Sequence, residues 1–309
     1  MSILSVGSVA LDSVRTPYGS AESVVGGSAV FFTAAATLFH PVQVVGVVGE
    51  DYPLHELDFL LSRGADLSGI ERCAGESFFW SGRYSSDLST RDTLETRLGV
   101  FANFEPKIPE SFRSARIVFL GNIDPMLQLN VLDQVKNPDI VACDTMNYWI
   151  EGSREVLIRL LKRVRILIIN DEEVRQLADN SNLLKAARWV QDQGPEMVVV
   201  KKGEHGAILF ADDWLFSVPA FPLEKVFDPT GAGDAFAGGF LGYLAKADSL
   251  LSGDLRRAMV YGSVIGSYAV EQFSIRGLID LSAEEINRRL LELREMTAFE
   301  THVLSEDHV

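Results

Sequence analysis

From Ile117 to Val200 the chain repeats one pattern: a short apolar, mostly β-branched run, then a longer stretch with helical spacing. The runs are Ile117–Leu120, Ile140–Cys143, Ile166–Ile169 and Met197–Val200. They are apolar throughout and do not alternate, which is what strands buried on both faces require. Parallel strands need crossover helices, so the pattern predicts a mostly parallel sheet covered on both sides by helices. Ligands of such sheets collect just beyond the carboxyl ends of the strands. Gly121-Asn122 and Asp144 fall there and are candidate site residues.

A second feature says what those strand ends hold. Asp228-Pro-Thr-Gly-Ala-Gly-Asp-Ala-Phe-Ala-Gly-Gly-Phe240 follows Lys225-Val226-Phe227, a segment expected to end a strand. Ala235 to Leu244 is rich in Ala, Phe and Leu and reads as a helix. Pro229, Thr230, Gly231 and Gly233 are turn and cap residues at the junction. The first N–H groups of a helix lack partners inside it and carry positive potential, so this junction suits a phosphate. Asp234 adds a negative charge at the same place. Either it caps the helix, or it takes a proton from a hydroxyl that attacks a bound phosphoryl group. Two other Gly-rich readings fail: G-x-G-x-x-G needs Gly where Phe236 stands, and no P-loop sequence occurs.

Composition narrows the partners. The 309 residues carry a formal net charge of −15, with 47% hydrophobic and 23% charged residues, and a pI near 4.8. Such a surface repels nucleic acid and anionic membranes, so neither is an expected partner. Cys73 and Cys143 form no C-x-x-C pair and read as reduced core thiols of a cytoplasmic protein. The five histidines are scattered, so no zinc site is expected.

Elsewhere, Ile3 to Gly7 reads as the first strand and not a signal peptide, with Asp12 soon after it. Gly26-Gly27-Ser28 opens a helix running through Leu38; Val42–Val48 is a strand, and Leu54 to Ser62 a helix. Between Ser77 and Phe101, Phe79–Tyr84 and Thr93–Phe101 alternate in period two around the turn 85–89, which predicts exposed antiparallel strands. Arg83, Arg91 and Arg97 there are basic residues in an acidic chain; solvation is expected for any single one, the alternative being that one of them reaches substrate or phosphate. Leu255 to Val270 is a helix with small residues along it. Ser282 to Glu285 is a capping box, and 296–309 is expected to fray.

The 228–240 stretch resembles the C-terminal signature of the ribokinase-like (PfkB) carbohydrate kinases, in which both glycines, the Asp and the following Ala-Phe match. The resemblance extends from about Ile3 to Arg294. It implies a three-layer α/β/α fold, one domain over 1–309, with a small β lid from about 13–25 and 76–104. It implies an ATP-dependent, Mg²⁺-assisted kinase in which Asp234 is the general base, the N–H groups of Ala232, Gly233 and Asp234 form the anion hole, and Gly231 joins them among the catalytic residues. Substrate contacts fall on Asp12, Gly26, Gly27, Asn122 and Asp144, and on Phe31, which stands where the family has Asn. Asn170 and Glu173 match the N-x-x-E element that orders Mg²⁺. ATP contacts fall on these two, on Thr230, Gly231, Gly233, Ser263 and Ser267, and on the Lys201, Gly203, Gly206 turn, where Lys201 replaces a usual Thr. Asp228 corresponds to an acid near a monovalent cation, K⁺, in some members. The expected acceptor is a small sugar or polyol, with a homodimer through the lid. The alternatives are a nucleoside kinase, in which Phe31, Phe32, Phe79 and Trp80 sandwich a base, and a sugar-sensing relative without catalysis.

Overall fold

The structure is a computed structural model that describes residues 1–300, so most of the stretch expected to fray lies outside the described residues. The chain begins β1 (Ile3–Val6), β2 (Ala10–Thr16), β3 (Gly19–Gly26), α1 (Ser28–Ala36), β4 (Val42–Val48), α2 (Asp58–Ser62), β5 (Asp66–Arg72), β6 (Phe78–Tyr84) and β7 (Arg91–Arg97). It continues β8 (Ile117–Leu120), α3 (Pro125–Leu132), β9 (Ile140–Asp144), α4 (Asn147–Gly152), α5 (Arg154–Leu161), β10 (Ile166–Asn170), α6 (Asp171–Ala178), α7 (Leu183–Asp192) and β11 (Met197–Lys201). It closes with β12 (Ala207–Ala211), β13 (Trp214–Val218), α8 (Ala232–Ala247), α9 (Ser252–Ala269), α10 (Arg276–Ile279) and α11 (Ala283–Thr297).

Nine strands form the central sheet in the order β13-β12-β11-β10-β9-β8-β1-β4-β5. It is parallel from β5 to β11, and β12 and β13 add an antiparallel edge. Successive residues of each strand enter different cores. Ile3, Phe119, Ile168 and Val199 pack with α1, α8 and α9, while Leu4, Val118, Leu167 and Val198 pack with α3, α5, α6 and α7. Each large apolar side chain so buried contributes about 1.5–3 kcal/mol, which is why the strand sequences cannot alternate. The chain leaves β1 toward β4 on one side and returns to β8 on the other, which puts the topological switch point at the ends of β1 and β8.

Helix α1 is buried along all nine residues, and α8 lies on it closely enough that glycine is required at the contact. A Cβ at Gly238 would strike the Phe32 carbonyl, and one at Gly242 would come within 2.9 Å of the Ala36 carbonyl oxygen. A separate four-stranded sheet, ordered β3-β2-β6-β7, stands over the switch point, with β7 exposed along its length. Among the described residues no helix is long and apolar enough to cross a membrane.

Some expected elements change. Lys225–Phe227 is not a strand: Phe227 donates its N–H to the Val270 carbonyl and accepts from the Thr16 hydroxyl, and no ladder forms. After Pro53 the expected helix starts as a 3₁₀ turn, Leu54–Leu57, and only Asp58–Ser62 is α-helical. The strand expected to reach Phe101 ends at Arg97, because Gly99 takes φ 52° tightly against the Glu76 carbonyl and turns the chain into a 3₁₀ segment.

Candidate active site

The site is built where α8 begins. Gly231 is the N-cap residue, at φ 74°, and a Cβ there would enter the ring of Phe31. Only glycine meets both demands. Phe31 is 2% exposed and is the floor beneath this turn. It is therefore core, and its expected substrate contact is corrected. Phe32 is also fully buried, stacked on Phe119 at 4.0 Å, so neither ring can sandwich a base. Ala232 donates its N–H to the Pro229 carbonyl at 3.2 Å, which removes it from the expected anion hole. Among the described residues no acceptor is seen for the N–H groups of Gly231 or Gly233.

Asp234 occupies the first turn of α8 without capping it, since that helix has no side-chain cap. Its Oδ1 is buried and without a hydrogen-bond partner among the described residues. An orphaned carboxylate oxygen costs free energy and calls for a donor that arrives with a ligand. Burial first, then the charge of Asp144, raises its pKa to about 7, with Lys201 opposing.

Three adjacent parallel strands end beneath this helix mouth, presenting Asp144, Asn170 and Lys201. Lys201 Nζ bonds Asp144 Oδ2 at 3.0 Å, and the other oxygen of Asp144 accepts the Thr145 N–H. Burial works against the Lys201 charge, but Asp144, Glu173 and Asp234 together hold it above the ordinary lysine pKa. A Cβ on Gly233 would lie 2.6 Å from Lys201 Nζ, so the missing side chain gives the ammonium its place at the turn. Asp144, expected among substrate contacts, thus belongs to the cluster under the anion turn.

Asn170 and Glu173 form a reciprocal capping box: Glu173 N–H donates to Asn170 Oδ1 at 2.7 Å and Asn170 N–H to Glu173 Oε2 at 3.0 Å. Burial, then Asp144, raises Glu173 to about 7, so a cation arriving nearby would be welcomed by its carboxylate. The donor set suits Mg²⁺, which takes oxygen ligands and keeps waters. No cluster of three metal-ligating side chains occurs among the described residues, so phosphate oxygens and water would complete its shell.

On the other side of the cleft Asp12, 6% exposed, is held by the Gly27 N–H. Gly26 leaves room for its carboxylate, and Gly27 sits at φ 96° because a Cβ would strike the Ser8 carbonyl. Burial raises Asp12 to about 7, with Asp228 and Asp234 adding to the rise and Arg91 opposing it. Asp12 and Asp234 thus share one electrostatic neighbourhood. Register places Trp80 beside Asp12 in the β2–β6 ladder, and Arg91 lies 5.0 Å over the Trp80 ring. Tyr52 is a site residue that the sequence reading missed. It is buried, its hydroxyl lacks a partner among the described residues, and the nearby Asp12 charge adds to the burial that raises it. No motif marks it; only its place after Gly49-Glu50-Asp51 hints at it.

Other expected contacts are engaged elsewhere. Asn122 accepts from Trp149 Nε1 at 3.0 Å and donates to Met146 Sδ at 3.1 Å, so its amide is turned onto α4. Ser263 donates to the Pro219 carbonyl at 2.7 Å. Ser267 donates to the Val264 carbonyl and accepts from Arg289 Nη1 at 2.9 Å. Both serines are buried, and neither offers a hydroxyl to a nucleotide. Asp228 accepts from the N–H groups of Thr230 and Ser274, tethering the turn to the loop after α9. Gly203 and Gly206, at φ 54° and 83°, shape the turn after β11, where Lys202 N–H meets the Gly206 carbonyl at 2.7 Å. Arg97 lies over Phe79 and pairs with Glu95 on the exposed strand.

A buried, unpartnered carboxylate at the mouth of α8, with the buried Asp12 carboxyl in its electrostatic neighbourhood, is an arrangement that suits phosphoryl transfer to a hydroxyl. The chain belongs to the pfkB family of carbohydrate kinases, whose sequence profile matches residues 112–280. It is 31% identical over 247 residues to the cytidine kinase of Thermococcus kodakarensis, covering 78% of this chain and 87% of that protein. It is 33% identical over 124 residues to fructokinase-2 of Zea mays, covering 38% of this chain and 36% of that protein. Among solved structures, a putative ribokinase II from E. coli in complex with ATP and Mg²⁺ superposes with a TM-score of 0.76. It shares 18% identity, over 94% of this chain and 99% of that one.

Proposed function

We propose that this kinase transfers the γ-phosphoryl group of ATP to a sugar hydroxyl of a nucleoside. The observation that carries the reading is Asp234 Oδ1, buried and unpartnered at the mouth of α8. Asp234 takes the proton of the acceptor hydroxyl as its oxygen bonds to the γ-phosphorus. The bond from that phosphorus to the bridging oxygen breaks, and ADP leaves. The Gly231 and Gly233 amides meet the charge on the equatorial oxygens. Asn170 and Glu173 would hold Mg²⁺ through water, and the ion would supply positive charge against the phosphates.

Asp12 accepts the acceptor's hydroxyls, as a carboxylate held by one N–H has lone pairs left for a diol. The small sheet acts as a lid that excludes water, the competing acceptor. Two observations support a nucleoside: Trp80 pairs with Asp12 in register, its ring lying over Gly82 under Arg91, and the cytidine kinase likeness covers most of both chains. A free sugar is the second reading, supported by the likeness to a fructokinase over a shorter span. K⁺ belongs to the proposal as well, since the Asp228 oxygens keep lone pairs beyond their N–H bonds; a rate that rises with K⁺ and not with Na⁺ supports it.

The deciding experiment is ADP release from Mg-ATP across ribonucleosides, fructose, ribose and polyols. Turnover with nucleosides supports the first reading, turnover with free sugars alone supports the second, and release with no acceptor in the panel removes both.

A further inference from the structure

We propose that Lys201 is a catalytic residue of this kinase, its ammonium contacting the non-bridging oxygens of the phosphoryl group in transfer. The inference rests on the kinase reading above and adds to it a role for the residue that ends β11.

A lysine ammonium against the first turn of a helix is electrostatically out of place, because that end of the helix is itself positive. Here it lies where a Cβ on Gly233 would be 2.6 Å away, and it is held by Asp144 at 3.0 Å. Its side chain is 18% exposed, so its charge is little screened. Asp144 takes one of the three N–H donors of the ammonium, and two others are available to a ligand. An anion seated on the Gly231 and Gly233 amides touches Lys201 from the same side. The cleft also holds the carboxyls of Asp12, Asp144, Glu173, Asp228 and Asp234, with Arg91 acting on Asp12 and Glu173, so a polyphosphate at the helix mouth needs the cation that sits there. In the step itself the acceptor oxygen bonds to the γ-phosphorus and its proton goes to Asp234. The bond to the bridging oxygen breaks and ADP departs, while Lys201 keeps its proton throughout and balances the equatorial charge.

The test compares Lys201→Met, the double variant Lys201→Met/Asp144→Asn and Asp234→Asn, read as ADP release from Mg-ATP with a mixture of ribonucleosides, ribose and fructose. The double variant removes the pair without leaving Asp144 unpaired, and so stays folded if the single variant does not. Lys201→Met and the double variant are expected to lose about 10²–10³-fold in kcat, with KM for ATP moving much less. Lys201→Ala is expected to regain activity with added ethylamine. Removing Lys201 also lifts the acid limb of the pH profile, since Asp234 then faces Asp144 and Asp12 without its counter-charge.

Wild-type kcat in Lys201→Met, with Asp234→Asn inactive, overturns the role of Lys201 and leaves the kinase reading in place. Activity restored in the double variant also overturns it, because Lys201 would then only neutralise Asp144. Wild-type turnover in Asp234→Asn, or none in the parent, strikes the kinase reading itself.

Discussion

The hydroxyls of Tyr84 and Thr230 lie 3.1 Å apart and join the small sheet to the turn that makes the anion cradle. Thr230 in turn donates its N–H to Asp228, which accepts from Ser274 N–H, whose hydroxyl reaches the Val25 carbonyl on β3. The small sheet and the turn before α8 are thus tied at two points, through Tyr84 and through Val25. Tyr84→Phe keeps the ring and removes one neutral hydrogen bond, a loss of about 1 kcal/mol. The expected outcome is a roughly fivefold fall in kcat/KM for the acceptor, measured by initial rates, with ATP affinity unchanged.

Asp234→Asn replaces the proposed proton acceptor with an amide of the same shape. Turnover should drop by about 10²–10⁴-fold, while calorimetric titration with a non-hydrolysable ATP analogue shows binding retained. In the parent enzyme, Asp234 must be ionised to work, and its pKa is raised to about 7. Log kcat/KM is therefore expected to fall as pH drops below about 7. A flat profile down to pH 5 would contradict the assigned base.

Stability should move the opposite way with pH. Burial raises Asp12, Glu173 and Asp234 each to about 7, well above their range in an unfolded chain. Between that range and pH 7 the folded chain holds protons that the unfolded chain has released, so these groups lower stability as pH rises. Asp12→Asn is expected to melt a few degrees above the parent at pH 8, with the difference vanishing near pH 4. Thermal scans of both proteins at the two pH values check it.

Gly231→Ala meets both a left-handed backbone and the ring of Phe31. The strained backbone alone costs about 1 kcal/mol or more, and the turn must shift to clear the ring. The expectation is a lower melting temperature together with lost turnover, whereas a silent substitution would show that Phe31 is not the floor of the cradle.

Trp80→Ala removes the aromatic face next to Asp12. For a nucleoside acceptor, KM is expected to rise about tenfold, in line with an aromatic contact of about 1.5 kcal/mol. KM for ATP should stay put. A panel of nucleosides and free sugars on the same variant separates base stacking from sugar binding.

Much of this arrangement could be read from the residues, because it is written in local rules. The uniform apolar runs of β8 to β11 announce a sheet with two covered faces, and the turn at 228–234 announces an anion site. The contacts that went astray depend on which way a side chain turns, and that is decided by distant packing. Ser263 and Ser267 lie on a small-residue helix face suited to a nucleotide, yet their hydroxyls meet the Pro219 and Val264 carbonyls. Asn122 stands just past a strand end, but Trp149, many residues on, claims its amide. Phe31 follows a Gly-Gly pair and points to the core because Gly231 needs a floor. Tyr52 carries no signal beyond its place after Gly49-Glu50-Asp51, since a single tyrosine in a loop is marked mainly by what folds over it.

The glycine-lined seam between α1 and α8 has a consequence for reaction geometry. Gly27 opens one helix and Gly231, just ahead of Asp234, opens the other, whereas Asp12 stands on β2 of the small sheet. Asp234 is thus fixed as the two helices pack, and any shift of the small sheet carries Asp12 with it.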